Sequence, residues 1–178
     1  MMVLVIGGSG SGKSAYAEGK AVSLSRFPDR KKYYLATMQV FDEEGQRRVR
    51  RHRELRSGKG FLTMEQPVKI QKALEHMEAD GSVALLECIS NLTANEMFAG
   101  EEVKTGMQVV DTVIEGVALL KENVTHLVVV SNNVFEDGMI YDKATMEYIH
   151  AMGVINQRLA LAADQVVEVV AGIPVPIK

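Results

Sequence analysis

Residues 7–14 read Gly-Gly-Ser-Gly-Ser-Gly-Lys-Ser and follow directly on the apolar run Val-Leu-Val-Ile at 3–6. The octet satisfies every fixed position of the pattern G-x-x-x-x-G-K-[ST], and the stretch Ala-Tyr-Ala-Glu at 15–18 begins a helical segment. Strand, glycine-rich loop and helix start are the context that a phosphate-binding loop requires. The glycines let backbone N–H groups turn inward as a concave nest. The helix N-terminus behind the loop adds its partial positive charge. On this reading Gly7, Gly8, Ser9, Gly10, Ser11, Gly12, Lys13 and Ser14 cradle a nucleoside triphosphate. Lys13 reaches its β- and γ-phosphates, and the Ser14 hydroxyl ligates Mg²⁺. The competing reading is a glycine-rich turn with no ligand, which the register of all three parts disfavours.

The remaining chain supplies an ordinary core for such a loop. With 178 residues, of which 47% are hydrophobic and 24% charged, one domain spanning 1–178 is expected. A net charge of −3 offers no whole-chain attraction to nucleic acid or to an anionic membrane. No apolar run approaches the roughly 20 residues that span a bilayer. The first residues enter a strand at once, which does not fit a removable signal segment. The single cysteine, Cys88, excludes an internal disulfide, and a cytoplasmic location is expected.

Apolar runs at 3–6, 33–36, 83–87, 127–131 and 166–171 are continuous rather than alternating, the pattern of strands covered on both faces. Between them, Val110, Val113, Ile114, Val117 and Leu120 form one helical stripe, and Ile149, Met152, Ile155, Leu159 and Ala162 form another. The segment 68–78 also reads as helical, and 100–106 as an exposed loop. This alternation predicts an α/β fold, a mostly parallel sheet with helices on both faces. The tail Ile-Pro-Val-Pro-Ile at 173–177 carries two prolines and suits only an edge strand.

Two further segments carry chemistry. Residues 42–56 place six arginines around His52. On a helix, Arg48 and Arg56 lie one turn either side of His52 and share its face. Neighbouring cations disfavour imidazolium and can neutralise an arriving phosphate, so a neutral His52 there suits attack on phosphorus. A solvated basic helix with an incidental histidine is one alternative, and a basic helix that binds nucleic acid is another, disfavoured because no aromatics interleave the arginines; the residues alone leave these open. The strand at 83–87 ends in Glu87, which resembles the second acidic element of phosphate-loop enzymes, where a carboxylate orients Mg²⁺. A carboxylate capping the next helix is the other reading. Cys88 reads as a small packed residue rather than a nucleophile. His76, His126 and His150 have no metal-ligand spacing.

The phosphate loop, Tyr-Leu-Ala-Thr-Met-Gln at 34–39, the Arg/His run at 47–53, Leu-Leu-Glu-Cys-Ile at 85–89 and Val-Ile-Asn-Gln-Arg-Leu-Ala at 154–160 occur together and in order, with Ala-Asp-Gln-Val-Val-Glu-Val-Val-Ala-Gly-Ile-Pro-Val-Pro-Ile-Lys closing the chain. In these segments the chain resembles the bifunctional adenosylcobinamide kinase / adenosylcobinamide-phosphate guanylyltransferase family of cobalamin biosynthesis. The resemblance implies a RecA-like nucleotide-binding fold and a homotrimer. It implies phosphorylation of adenosylcobinamide by a nucleoside triphosphate, then transfer of GMP from GTP onto adenosylcobinamide phosphate through a guanylylated histidine. His52 matches that histidine. The family's nucleotide contacts carry over to the loop at 7–14, to Thr37, Met38 and Gln39, to Arg53, Glu54, Leu55 and Arg56, and to Glu65 and Glu87, with Ser14 and Glu87 at the metal.

Two departures qualify the match. Gly10 stands where members often carry Arg. After the strand at 127–131 comes Asn-Asn-Val-Phe-Glu-Asp-Gly at 132–138, where the family shows Thr-Asn-Glu-Val-Gly and then Gly-Ile-Val-Pro. The alternatives are a small-molecule kinase in which His52 only contacts phosphate, and a nucleotide-binding regulatory module.

Overall fold

The computed structural model describes residues 1–25, 30–39, 47, 50, 54, 56–100, 103–133, 139 and 141–178. Its strands are β1 (Met2–Ile6), β2 (Lys32–Ala36), β3 (Phe61–Glu65), β4 (Val83–Glu87), β5 (His126–Val130), β6 (Gln165–Val170) and β7 (Ile173–Pro176). Its helices are α1 (Lys13–Leu24), α2 (Ile89–Phe98), α3 (Gly106–Asn123) and α4 (Lys143–Ala162), with a 3₁₀ helix at Ile70–His76. The strands form one sheet in the order β3-β2-β4-β5-β1-β6-β7. All pairings are parallel except that of β6 with β7.

Side-chain parity divides each strand between two apolar layers, since successive residues point to opposite faces. Met2 and Leu4 of β1, Ala84 and Leu86 of β4, and Leu127 and Val129 of β5 enter a core shared with the 3₁₀ helix, α2, α3 and α4. Val3 and Val5, Val83 and Leu85, and Val128 and Val130 enter the second core, which α1 covers with Ala17 and Ala21. Both faces of the central strands are therefore dry, which explains why β1, β4 and β5 read as unbroken apolar runs.

The predicted strands all form, with ends that move by one residue at most. The helical stripes at 110–120 and 149–162 fall within α3 and α4. The segment read as helical at 68–78 is a 3₁₀ helix, because Ile70 and Ala73, three residues apart, are the pair buried. A spacing of three eclipses side chains in a 3₁₀ helix but not in an α-helix. β3 is the strand that apolar patterning overlooked. It lies at the sheet edge with Leu62 and Thr63 exposed, so pairing with β2 rather than burial decides it. The tail forms edge strand β7 as expected. The turn before it, Ala171-Gly172, has both residues at positive φ (50° and 81°), the arrangement of a two-residue type I′ hairpin.

The helices are stopped and started by local chemistry. Thr105 and Gln108 form a reciprocal capping box at the start of α3. The Asp142 carboxylate accepts the N–H groups of Ala144 and Thr145 at α4. Gly116 lets α3 lie directly on the 3₁₀ helix, for a Cβ there would stand 2.7 Å from Ile70 Cγ2. Gly153, on the exposed side of α4, has nothing within 4 Å of the same point. Two opposite outcomes are expected in urea denaturation. Gly116→Val should destabilise the protein by about 2 kcal/mol or more, through overpacking against a fully buried branched side chain. Gly153→Ala should stabilise it by about 0.5–1 kcal/mol, through lost freedom of the unfolded chain.

Candidate active site at the carboxyl edge of the sheet

The phosphate loop occupies the carboxyl end of β1. Its turn is closed by Ser11 N–H donating to Gly8 C=O at 3.2 Å, and Gly12 takes φ 91° to start α1. That left-handed conformation suits glycine, and space excludes a side chain as well, because a Cβ would meet the Gly172 Cα at 3.3 Å. Neighbours hold the loop from both flanks. The Gly172 N–H of the β6–β7 turn donates to Ser11 C=O at 2.8 Å, and Asn133 N–H after β5 donates to Gly7 C=O at 3.1 Å. Lys13 is almost wholly buried, and its Nζ donates to Gly8 C=O at 2.9 Å. Burial lowers the ammonium pKa, and the nearby Cys88 and Glu87 oppose that shift. Ser11 Oγ is a buried polar atom without a partner inside the loop. A cradle with one buried cation and one unpaired hydroxyl is suited to an anion.

Glu87 completes this corner. Parity along β4 sends Val83, Leu85 and Glu87 to the face covered by α1, and α1 begins with Lys13 and Ser14. Ser14 Oγ consequently donates to Glu87 Oε1, across the intervening strand β5. Tyr34 OH donates to the other carboxylate oxygen, Oε2, at 3.1 Å. A hydroxyl and a carboxylate in contact beside a phosphate cradle form an oxygen donor set that fits Mg²⁺. Among the described residues no three His, Cys, Asp or Glu side chains converge. The rest of such an ion's shell would then come from water and phosphate, the coordination Mg²⁺ ordinarily keeps.

Thr37, one residue beyond β2, is fully buried. Its hydroxyl accepts the Cys88 N–H at 2.7 Å and donates to Cys88 C=O at 2.8 Å, while its own N–H donates to Glu87 C=O at 3.1 Å. Asn95 of α2 donates to Thr37 C=O at 2.7 Å. Thr37 therefore ties the ends of β2 and β4 together immediately behind Glu87. Met38 and Gln39 follow it, half-buried, at the same edge. Glu65 is level with Ala36, which is level with Glu87, so both carboxylates stand at the same height of the sheet. Two strand spacings separate them, about 10 Å. Burial raises the Cys88 thiol pKa, and its Sγ lies 3.0 Å from Ser90 Oγ, an inert packed setting as the sequence suggested.

The basic run reaches this corner through its end. Arg47, Arg50, Glu54 and Arg56 are helical. Arg47, Arg50 and Glu54 are exposed, whereas Arg56 is buried with its guanidinium carbon 3.5 Å from the centre of the Tyr34 ring. Lys59 just beyond it pairs with Glu18 of α1 at 2.5 Å, and Glu18 is buried. His52, Arg48, Arg53 and Leu55 lie outside the described residues, as do positions 134–138 of the divergent loop. His76, His126 and His150 take no part in the site; burial lowers the pKa of His126 at the amino end of β5.

Sequence reasoning missed several contributors. Tyr34 lies in a strand run and in the segment 34–39, but nothing in the sequence joins it to Glu87 or Arg56. Asn156 of α4 accepts from Ser131 Oγ at 2.6 Å and donates to Asn132 C=O at 3.2 Å. Asn132 in turn donates to Ser90 Oγ at 2.5 Å, so this network pins the exit of β5. The only advance signal was the segment Asn-Gln-Arg-Leu at 156–159, which contains Asn156. The support of the phosphate loop by the Ala171-Gly172 turn had no advance signal, since the two lie near opposite ends of the chain.

The family model for cobinamide kinase / cobinamide phosphate guanyltransferase matches residues 3–177. The chain belongs to this family. Among relatives, the family includes the bifunctional adenosylcobalamin biosynthesis protein CobU of Escherichia coli (strain K12), 29% identical over 187 residues that cover all of both chains. CobU of Salmonella typhimurium is 31% identical over the same span, and CobP of Pseudomonas aeruginosa is 28% identical over 184 residues, all of this chain and 98% of that protein. Among solved structures, an ATPase domain superposes with a TM-score of 0.52 at 12% identity, covering 94% of this chain and 68% of that one. That likeness concerns the fold, which is RecA-like as expected.

The Thr37 geometry generates a prediction for this family fold. Thr37→Val keeps the shape but leaves the buried Cys88 N–H without its partner, while Cys88 C=O keeps the Leu92 N–H. Stability in urea denaturation should fall by about 1–3 kcal/mol. An unchanged midpoint would show that the hydroxyl bonds to Cys88 do not stabilise the fold.

Proposed function

We propose that this chain phosphorylates adenosylcobinamide with a nucleoside triphosphate, and transfers GMP from GTP to the resulting adenosylcobinamide phosphate, in cobalamin biosynthesis. The observation that carries this reading is the meeting of Lys13, Ser14 and Glu87 at the carboxyl edge of the sheet, beside a phosphate loop in a chain of this family. The names of the relatives support the pathway.

The loop N–H groups and Lys13 hold the β- and γ-phosphates, and Lys13 offsets charge that accumulates as a bridging oxygen departs. Ser14 and Glu87 would hold Mg²⁺, which when bound supplies further neutralisation of that charge. Gly7, Gly8, Ser9, Gly10, Ser11 and Gly12 form the cradle. Met38, Gln39, Arg53, Glu54, Leu55, Arg56 and Glu65 border the nucleotide, and Thr37 positions the Glu87 end of β4. In the kinase half, the aminopropanol hydroxyl oxygen bonds to the γ-phosphorus. The bond from that phosphorus to its bridging oxygen breaks, the nucleoside diphosphate leaves and the hydroxyl proton passes to solvent.

In the transferase half, a nitrogen of neutral His52 bonds to the α-phosphorus of GTP, and pyrophosphate leaves with its bridging oxygen. A phosphate oxygen of adenosylcobinamide phosphate then attacks that phosphorus and the histidine nitrogen leaves. Cations in the basic run disfavour imidazolium at His52 and attract the anionic acceptor. We further assign the chain to one catalytic domain over 1–178, acting as a homotrimer in the cytoplasm without a nucleic-acid partner. No helix of the described residues is long and apolar enough to cross a membrane.

Mass spectrometry of the protein after incubation with GTP and Mg²⁺ should reveal one GMP adduct. His52→Ala should remove the adduct while leaving turnover of adenosylcobinamide by the kinase half. Persistence of the adduct would move the nucleophile to another residue. Lys13→Ala should weaken triphosphate binding and cut turnover by about a hundredfold or more without unfolding the protein. Affinity equal to the parent's would refute the phosphate-loop assignment. Glu87→Gln should impair Mg²⁺-dependent turnover far more than stability, whereas a purely capping carboxylate would leave turnover intact.

A further inference from the structure

Tyr34 occupies a place that neither reaction requires by itself. It lies on β2 level with Leu85 of β4, two residues before Ala36, which is level with Glu87. By parity its side chain shares the α1 face with Leu85 and Glu87. The phenol is long enough to run up that face, and its hydroxyl donates to Glu87 Oε2 at 3.1 Å while Ser14 serves Oε1. The two oxygens of Glu87 thus have separate donors on two different elements, so the carboxylate cannot rotate without breaking one of them. The ring is itself held. Arg56 stacks at 3.5 Å on it, and Phe61 meets it edge-on with centroids 6.3 Å apart at 79°.

The guanidinium that stacks there is buried, and its Nη1 has no hydrogen-bond partner. The ring face is therefore a principal seat of Arg56. One side chain joins the end of the basic segment to the acidic residue beside the phosphate loop.

We propose that Tyr34 is a positioning residue: its hydroxyl orients Glu87 for the metal–nucleotide complex, and its ring seats Arg56 beside the same site. The inference rests on the phosphate-loop reading given above. Donors that orient a ligating carboxylate characteristically alter metal affinity by about tenfold or more when removed. A core aromatic with no such role would be indifferent to losing one oxygen atom.

The two roles separate by substitution in the full-length protein. Tyr34→Phe keeps the ring, the Arg56 stack and the Phe61 contact, and removes only the donor. Binding of a fluorescent GTP analogue is measured against Mg²⁺ concentration and, in parallel, in EDTA. Tyr34→Phe should raise the Mg²⁺ concentration at half-saturation about tenfold. Affinity in EDTA should stay at the parent's value. In a Glu87→Gln background the same change should have no further effect on the Mg²⁺ midpoint, as coupled partners require. Tyr34→Leu should add a loss of GMP adduct, because Arg56 loses its seat.

A Tyr34→Phe protein with the parent's Mg²⁺ midpoint would overturn the inference. So would an equal Tyr34→Phe shift with and without the Glu87 carboxylate. Failure of the parent to bind the GTP analogue in either condition would be a different result. It would bring down the phosphate-loop reading, and the role of Tyr34 with it.

Discussion

The contact between the Ser14 hydroxyl and the Glu87 carboxylate is the joint on which the site depends. It connects the first turn of α1, which follows β1, to the end of β4, although β5 stands between those two strands. It is possible because β1, β5 and β4 are all parallel, so their carboxyl ends lie along one edge. Parity then decides that Glu87 emerges on the α1 side rather than toward α2. A shift of one residue in the β4 register would send the carboxylate into the opposite apolar layer, which α2, α3 and α4 cover.

Around that joint the structure places its buried polar groups in pairs. Thr37 satisfies both backbone groups of Cys88. Asn95 holds Thr37 C=O and Pro67 C=O, and Glu96 of the same helix binds Lys69 N–H and Lys104. Each such bond is modest alone, yet leaving one buried partner unmatched is costly, so the pairs specify one arrangement of strand ends. The edge that carries the chemistry is thus stiffened from behind, where no substrate needs to reach.

The phosphate loop illustrates the division between local and distant control. Its own glycines allow the turn, but Gly172 from the last hairpin and Asn133 from beyond β5 determine how it is held. The turn Ala171-Gly172 can reach Ser11 because β6 pairs directly with β1. The last segment of the chain therefore supports the first loop.

Much of this protein was legible in its sequence for a physical reason: contiguous signals encode contiguous structure. Residues 7–14 with the strand before and the helix after declare a phosphate loop, since glycine, lysine and serine in that register serve one backbone geometry. Unbroken apolar runs announced β1, β4 and β5, because two-sided burial leaves no polar alternation. β3 escaped notice because an exposed edge strand carries little apolar signal, and the segment at 68–78 concealed a 3₁₀ helix because two buried residues three apart, Ile70 and Ala73, also suit an α-helix. The partnership of Tyr34, Arg56 and Glu87, the seat of Thr37 on Cys88 and the bracing of Ser11 by Gly172 join residues far apart in the chain. Only the parallel register and the order of strands bring those groups within bonding distance, so they belong to the tertiary structure alone.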